Sequence, residues 1–532
     1  MSKISHDIKP PCWGCQQGGC FADEKWKDFL KLPCVWRILT TYAQTCFTGA
    51  APDFLPIFRV NRWNEQEEQH MAITLQGYLD SLQGKRVAVI GIGVSNTPLI
   101  KTLRKAGIAV TACDKNTREA FGPLADELEE LGTELRLGPT YLDDLDQDVI
   151  FRSPGIRPDI PPFVAAQEKG SVLTSEMEIF FQVCPCKIIA VTGSDGKTTT
   201  TTLISEMLKN AGYTVHLGGN IGKPLLSEAG DMKPEDFAVL ELSSFQLMTL
   251  SQSPDIAVFT NLSPNHLDIH KSMEEYAQAK ENIFSHQSRE NIAIFNRDNE
   301  LTREMAGRAP GRVLEFSRRQ SLENGTYVED GNIVVARNGQ RRVLFDTSRI
   351  LIPGQHNVEN YLAAIAAVQG LVPDPVILHT AETFPGVEHR IELVRTLRGV
   401  RYYNDSIASS PTRTIAGLRS FSQKVILIAG GYDKKIPFDV LGTEVLEHVK
   451  TLVLTGHTAD KIYQAVVQTE GYQEGHPAII RKDDFKEAVL AAHQAAEEGD
   501  VVILSPACAS FDHFKNFAQR GRIFKEIVND LV

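Results

Sequence analysis

Short apolar runs, each closed by glycine or a small polar residue, recur along the chain from about residue 85. KRVAVI (85–90) leads into the Gly-rich GIGVSN, the amphipathic stretch TPLIKTLRKAG and a second apolar run, IAVTACD, which ends at Asp114. An unbroken apolar run predicts a strand buried on both faces, and alternation with helical stretches predicts a parallel sheet. DVIFRSPGI (148–156) predicts a later strand ending in a Ser-Pro-Gly turn. A second unit opens with KIIAVTGSDGKTTTTTLISEMLKNAG (187–212) and continues through FAVLELSS (237–244), IAVFTNLS (256–263) and NIAIFN (291–296), with charged helical stretches such as SMEEYAQAKENIF between them. A third unit, from about 387, carries VRYYNDS, KVILIAGG, TLVLTG and DVVILSPA. The predicted fold class is α/β: three consecutive α/β domains, 71–175, 176–386 and 387–532, after an N-terminal leader of residues 1–70.

Size and charge narrow the partners. A chain of 532 residues with 42% hydrophobic content is too long for one core. A net charge of −12 and a pI of about 5.7 make the chain a poor candidate for a general nucleic-acid binder, while leaving room for a local anion site. No apolar run reaches the ~18 residues of a membrane span, and the N-terminus lacks the layout of a secretory signal. A cytoplasmic location is expected, with the nine cysteines held as thiols. Cys12, Cys15, Cys20, Cys34 and Cys46 crowd the leader, and Cys12-Trp-Gly-Cys15 is a CxxC without further ligands at matched spacing. The leader is either a metal-holding module or an unspecialised extension. Because Met71 directly precedes the natural start of an α/β domain, an upstream start-site artefact is a further reading.

The chemistry gathers at strand ends. In GSDGKT (193–198), glycines let successive backbone N–H groups turn toward one anion, Lys197 adds charge, and the Thr198 hydroxyl suits Mg²⁺. The spacing is GxxGKT rather than GxxxxGK[ST], since Val191 stands where the longer loop has glycine. Glu241 ends an apolar strand where a carboxylate could serve the metal, or it is simply solvated. NLSPNHLDIH (261–270) offers His266, Asp268 and His270 at the same sheet edge. In the first unit, GIGVSN and Asp114 suit either a nucleotide diphosphate at a helix N-terminus or a tight turn alone. A dinucleotide-dependent oxidoreductase would use the same turn. It would leave GSDGKTTT without a role, and Asn96 occupies the place of its third glycine.

The set GSDGKTTTTT, ELSSFQL, NLSPNHLDIH, PGQHNVENYLAA, HRIE, NDSIASSPTRT and SPACASFDHFKNFAQRGRIF resembles the Mur ligase family, collinearly over about 71–532. The resemblance implies a Rossmann-like nucleotide-sugar domain, a central P-loop ATPase domain and a C-terminal Rossmann-like domain. It further implies a cytoplasmic, monomeric, ATP- and Mg²⁺-dependent ligase that joins D-glutamate to UDP-N-acetylmuramoyl-L-alanine (UDP-MurNAc-L-Ala) through an acyl phosphate, without nucleic-acid or membrane partners. By the same resemblance, Gly193, Ser194, Asp195, Gly196, Lys197, Thr198 and Thr199 cradle the phosphates, and Asn357 and Asn360 lie near the adenine. Arg390 and Asp405 approach ATP from the third domain. Thr198, Glu241, His266 and a carbamylated Lys280 serve the metal, with Lys197, Glu241, His266 and Lys280 the catalytic set. Val94, Ser95, Asp114, Lys115, Ser153, Gly155 and Asn220 take the UDP substrate. Lys434, with Lys435 as its rival, and Ser510, Phe511 and Phe517 take D-glutamate. From the residues alone, Lys280 reads first as a solvated helix lysine and Phe517 as core, and only the resemblance reverses the reading of Lys280. Asn265 and Ile407 depart from the family pattern at positions that transfer nothing.

Overall fold

The computed structural model describes residues 73–264 and 269–532. The cysteines of the leader and His266 lie outside the described residues. Among the described residues, twenty strands form three sheets.

The first sheet holds β1 (Arg86–Ile90), β2 (Ala109–Asp114), β3 (Glu134–Leu137), β4 (Val149–Arg152) and β5 (Val172–Thr174), in the order β3-β2-β1-β4-β5. All neighbours are parallel. Helix α1 (Asn96–Lys105) follows β1 and buries Leu99, Ile100 and Leu103, an i, i+1, i+4 stripe, against the sheet. The strand order reverses between β1 and β4, so the turns after those two strands open a crevice at the carboxyl edge.

The second sheet runs β14-β13-β12-β11-β10-β9-β6-β8-β7. Its parallel part comprises β6 (Lys187–Thr192), β7 (Val215–Gly219), β8 (Phe237–Glu241), β9 (Ile256–Phe259), β10 (Ile292–Asn296), β11 (Arg312–Ser317) and β12 (Gly325–Glu329). An antiparallel meander then adds β13 (Asn332–Arg337) and β14 (Gln340–Asp346). Helices α2 (Lys197–Asn210) and α4 (Gln355–Val368) pack together on one face, while α3 (Met273–Glu281) lies on the other side of the phosphate loop.

The third sheet contains β15 (Glu392–Leu397), β16 (Val400–Asn404), β17 (Val425–Ala429), β18 (Val449–Leu454), β19 (Ala478–Arg481) and β20 (Val501–Leu504), ordered β15-β16-β20-β17-β18-β19. Only β15 runs antiparallel. Helix α5 (Pro411–Leu418) and the C-terminal α6 (Phe517–Asp530) cover opposite faces. The cores divide unevenly. One apolar cluster runs without interruption from Leu79 in the first unit to Met305 in the second, whereas the clusters on the third sheet draw only on residues from Ile391 onward. Among the described residues, no helix is long and apolar enough to cross a membrane.

Candidate active site

The phosphate loop joins β6 to α2. Gly193 has φ +148°, and a Cβ there would lie 2.0 Å from Thr260 Oγ1. Gly196 has φ +78°, and its Cβ would meet Asn360 Oδ1 at 2.4 Å. Both positions exclude a side chain by backbone angle and by space. Neighbouring loops hold the turn open. Ser194 N–H donates to Asn261 O (2.9 Å), Asp195 N–H to Asn261 Oδ1 (2.9 Å), and Thr260 Oγ1 donates to Asp195 O (2.6 Å). Ser194 Oγ donates to Ser263 O (2.8 Å) and lies 3.2 Å from the Tyr276 hydroxyl. The turn thereby delivers the N-terminus of a 14-residue helix, with its free first-turn N–H groups, to one point.

The threonine run divides its tasks. Thr198 Oγ1 donates to Glu241 Oε2 (2.7 Å), and Thr200 Oγ1 donates to Asn360 Oδ1 (3.2 Å). Thr201 and Thr202 bond back to the carbonyls of Lys197 and Thr198, both at 2.8 Å, and Thr199 is buried. Asn360 Nδ2 in turn donates to Asn357 Oδ1 (3.1 Å), so both asparagines sit beside the loop on α4.

Two lysines converge on the same turn. Lys197 Nζ donates to Gly193 O (3.0 Å) and Ser194 O (2.9 Å). Burial lowers its pKa, Arg390 lowers it further, and Glu241 and Asp195 oppose the shift. Lys280 Nζ, on α3, donates to Gly193 O (2.8 Å) and Thr192 Oγ1 (3.1 Å), and sits 5.0 Å from the Tyr276 ring centre. Lys280 is 1% exposed, which overturns the solvated-lysine reading. Burial, then the neighbouring Lys197 charge, hold its pKa well below the ordinary lysine value. Glu241 is 2% exposed, so it is not a solvated strand-end carboxylate either. Its Oε1 accepts from Asn220 Nδ2 at 2.8 Å.

The Thr198 hydroxyl and Glu241 carboxylate are adjacent hard oxygen donors, a pairing that fits Mg²⁺. The Lys280 ammonium fits a metal only after carbamylation, which would replace its positive charge with an anionic oxygen. Of the histidines in the 261–270 segment, His270 is the described one. It is buried, with Nε2 2.9 Å from Ser244 Oγ and its ring stacked on Phe245.

A cleft of about 430 Å³ opens beside Glu241. Val94, Ser95, Pro154 and Gly155 line one wall, and residues 219–224 with Ser243, Phe245 and Gln246 line the other. Val94, 81% exposed, and Asn220 both face it. Ser153 packs against Gly91, where a Cβ would come within 2.9 Å of the serine Cβ. Both carboxylate oxygens of Asp114 are engaged by backbone amides. Oδ2 accepts from Ile92 N–H (2.8 Å) and Oδ1 from Asn116 N–H (2.9 Å). Lys115, next to it, is exposed. Asn96 uses its amide to cap β1, with Nδ2 donating to Ile90 O (3.1 Å) and Gly91 O (3.0 Å). A glycine at this position would lose both bonds.

On the third sheet, Asp405 follows β16 and accepts from Ser505 Oγ at 2.8 Å. Burial raises its pKa to about 7, against the pull of Ser505 and Arg390. Arg390 is exposed, and its charge acts on Lys197 and His356 of the second unit. Lys434 Nζ donates to Ser409 Oγ (3.2 Å), while Lys435 adopts φ +59°. Ser510 is buried, but Phe511 is 62% exposed and stacks edge-on with Tyr432. Phe517 is 39% exposed and meets His389, so neither phenylalanine is core.

Two arginines carry structural weight that sequence reasoning missed. Arg520, 2% exposed, donates to Ser406 Oγ (3.0 Å), Ser406 O (2.9 Å), Cys508 O (3.1 Å) and Ala509 O (3.0 Å). It therefore ties the turn after β16 to the turn after β20, and burial lowers its pKa to about 10. Its only sequence signal is its place within FKNFAQRGRIF. Arg152, at the end of β4, is the second, and no pattern marks it.

The Mur ligase middle domain matches residues 191–368, and the Mur ligase, glutamate ligase domain matches residues 389–508. The UDP-N-acetylmuramoylalanine--D-glutamate ligase of Acetivibrio thermocellus is 55% identical over 465 residues, covering 87% of this chain and 100% of the relative. The enzyme of the same name from Clostridium kluyveri is 53% identical over 448 residues, covering 84% and 97%. Among solved structures, the UDP-N-acetylmuramate-alanine ligase MurC of Thermotoga maritima shares the fold, with a TM-score of 0.52 at 19% identity over 84% of this chain and 99% of that one. With relatives this similar along nearly their whole length, the chain belongs to the Mur ligase family, on the branch of the UDP-N-acetylmuramoylalanine--D-glutamate ligases.

Proposed function

We propose that the protein is an ATP-dependent amide ligase that joins D-glutamate to UDP-MurNAc-L-Ala in peptidoglycan precursor synthesis. The observation that carries the reading is the gathering of a phosphate loop, a buried Glu241 and a buried Lys280 beside a cleft shared by the first two sheets. The relatives' name supplies the substrates.

A free carboxylate does not react with an amine. In the first step, a carboxylate oxygen of the alanyl group attacks the γ-phosphorus of ATP, the bond to the bridging oxygen breaks, and ADP leaves. In the second, the amine of D-glutamate attacks the acyl carbon, phosphate departs with the C–O electron pair, and the amine loses its extra proton. The chain's part is alignment and charge neutralisation. The amides of Gly193–Thr199 and the Lys197 ammonium take the outer phosphates. Asn357 and Asn360 border the base, and Arg390 and Asp405 approach from the third sheet. Thr198 and Glu241, with Lys280 as its carbamate and His266, are the residues that would hold Mg²⁺. When bound, Mg²⁺ supplies charge neutralisation between the phosphates. Val94, Ser95, Asp114, Lys115, Ser153, Gly155 and Asn220 receive the UDP substrate. Lys434, or Lys435 in its place, and Ser510, Phe511 and Phe517 receive D-glutamate.

We take the three sheets as domains 71–175, 176–386 and 387–532, and one chain as the working unit, since all these residues lie on one chain. A reaction that consumes ATP and a UDP-linked precursor belongs in the cytoplasm. The test is ADP release by the purified protein. Release is expected only with both UDP-MurNAc-L-Ala and D-glutamate present. Equal release with L-alanine or a diamino acid in place of D-glutamate would move the reading to another amino-acid-adding ligase.

A further inference from the structure

The cleft between the first two sheets has two walls from distant parts of the chain, and one side chain is bonded to both. Arg152 is 1% exposed. Its Nη1 donates to Ile156 O (3.1 Å) and, more weakly, to Pro154 O (3.4 Å), fixing the turn that contributes Pro154 and Gly155 to the first wall. Its Nη2 donates to Phe245 O (3.2 Å) and Thr249 Oγ1 (2.7 Å), fixing the segment that contributes Ser243, Phe245 and Gln246 to the second. The tie continues inward. Thr249 Oγ1 donates to Glu178 Oε2 (3.0 Å), which also accepts from Ser175 Oγ (2.7 Å).

Burying a guanidinium is costly, and here both Nη groups are bonded while the buried Nε has no hydrogen-bond partner. An apolar side chain of similar volume would fill the same seam without that cost. What the guanidinium adds is direction: a planar fork that meets acceptors on both walls at once. We propose that Arg152 is a positioning residue for the nucleotide-sugar cleft, holding its two walls at the spacing that a UDP-linked substrate requires. The proposal rests on the reading of this cleft as the UDP-substrate site.

The experiment compares the full-length protein with Arg152→Met, Thr249→Val and the double variant. Binding of UDP-MurNAc-L-Ala is measured by calorimetry, the KM of each of the three substrates by ADP release, and folding by circular dichroism. Arg152→Met is expected to weaken UDP-MurNAc-L-Ala binding and raise its KM by about tenfold or more, the scale of lost charge-assisted hydrogen bonds. The KM values for ATP and D-glutamate should stay within about twofold, since those sites lie on other turns. Thr249→Val should act in the same direction but less, and the two effects should be less than additive in the double variant, because the Arg152–Thr249 bond is common to both. Unchanged affinity in folded Arg152→Met, or a common rise in all three KM values, would overturn the proposal. If Arg152→Met does not fold, Thr249→Val carries the test, and unchanged affinity there overturns it. Absence of binding by the parent protein would overturn the reading of the cleft and this proposal together, an outcome distinct from any effect confined to the variants.

Discussion

Two lysines meet at Gly193 O, yet their surroundings assign them different tasks. Lys197 leaves the first turn of α2 and folds back over the loop, so its ammonium lies where the outer phosphates of ATP would sit. No second cation occupies that position on the loop itself. Lys197→Ala should lower kcat by about 10³ or more while the thermal transition stays near the parent's, because it removes transition-state charge stabilisation and little packing. Turnover within a few-fold of the parent would remove the phosphate-loop assignment. Lys280 approaches from α3 and is fully enclosed, with burial and the nearby Lys197 favouring its neutral amine. A neutral amine is the form that takes up CO₂ to become a carbamate. Lys280→Ala should therefore be almost inactive and partly restored by acetate, which can place an oxygen in the vacated space. Lys280→Arg should not be restored, since its cation remains. The three proteins assayed with and without acetate decide this, and an alanine variant as active as the parent would end the carbamate reading. The motif residues were legible in the sequence. The structural roles of Arg152, Arg520 and Asn261 were not, although Asn261 opens NLSPNHLDIH and Arg520 lies in FKNFAQRGRIF, because a single arginine or asparagine shows no task until its partners, up to 114 residues away, are brought to it.

The elements show where pattern reading succeeds and where it stops. The central parallel strands announce themselves as apolar runs, because both of their faces are covered, whereas the partly exposed β3, β7, β11 and β19 do not. The ribbon β12–β13–β14 carries a weaker signal: β14 reads QRRVLFD, an exposed edge with two arginines. Its turns were nevertheless written in the chain. Asp330-Gly331 and Asn338-Gly339 both take positive φ at each residue, which is what two-residue hairpins demand. A buried carboxylate gives this scale its prediction. Glu176 opens the helix Glu176–Val183 and accepts from Leu226 N–H at 2.9 Å, linking the helix to residues 226–231. Burial raises its pKa to about 7, with the Leu226 and Leu225 amides opposing the shift. A carboxyl with its folded pKa above its unfolded value contributes most below the unfolded pKa and loses that contribution as pH rises through the folded one. Between about pH 4.5 and 7 the parent should lose up to about 3 kcal/mol from this group, at ~1.4 kcal/mol per pKa unit. Glu176→Gln keeps the acceptor and cannot ionise, so its melting temperature should gain on the parent's between pH 5 and pH 8. A constant difference across that range would show that Glu176 titrates normally.

At the scale of the molecule, the distribution of apolar contacts predicts which parts move together. The first two sheets share one continuous core, and Arg152 bonds across their seam. The third sheet keeps its own cores, and the break falls between Val387, packed with the second unit, and Ile391, packed with the third. Arg390 sits in that break, and its charge already reaches Lys197. ATP bound at the phosphate loop would therefore draw on residues of a body with no core in common with the loop. The third domain should move as a rigid body on ligand binding while the first two keep their relation, excluding water from the acyl phosphate. Small-angle scattering with and without saturating nucleotide and UDP-MurNAc-L-Ala should show compaction. Identical profiles would count against closure.

Periodicity, backbone freedom and side-chain chemistry within a short window made the long apolar strands, the phosphate loop and the motif residues readable from the chain, but not the short or half-exposed strands such as β3, β7, β11 and β19. Tertiary structure alone decided the states of those residues. Burial makes Lys280 an enclosed amine rather than a solvated helix lysine, and leaves Phe511 and Phe517 at the surface rather than in the core. It also decided the buttresses. Asn360 behind Gly196, Asn261 beneath Asp195 and Arg152 between the walls of the cleft act across separations of 164, 66 and 93 residues. Local pattern cannot encode such pairings, since each depends on which sheet edges the folded chain brings together.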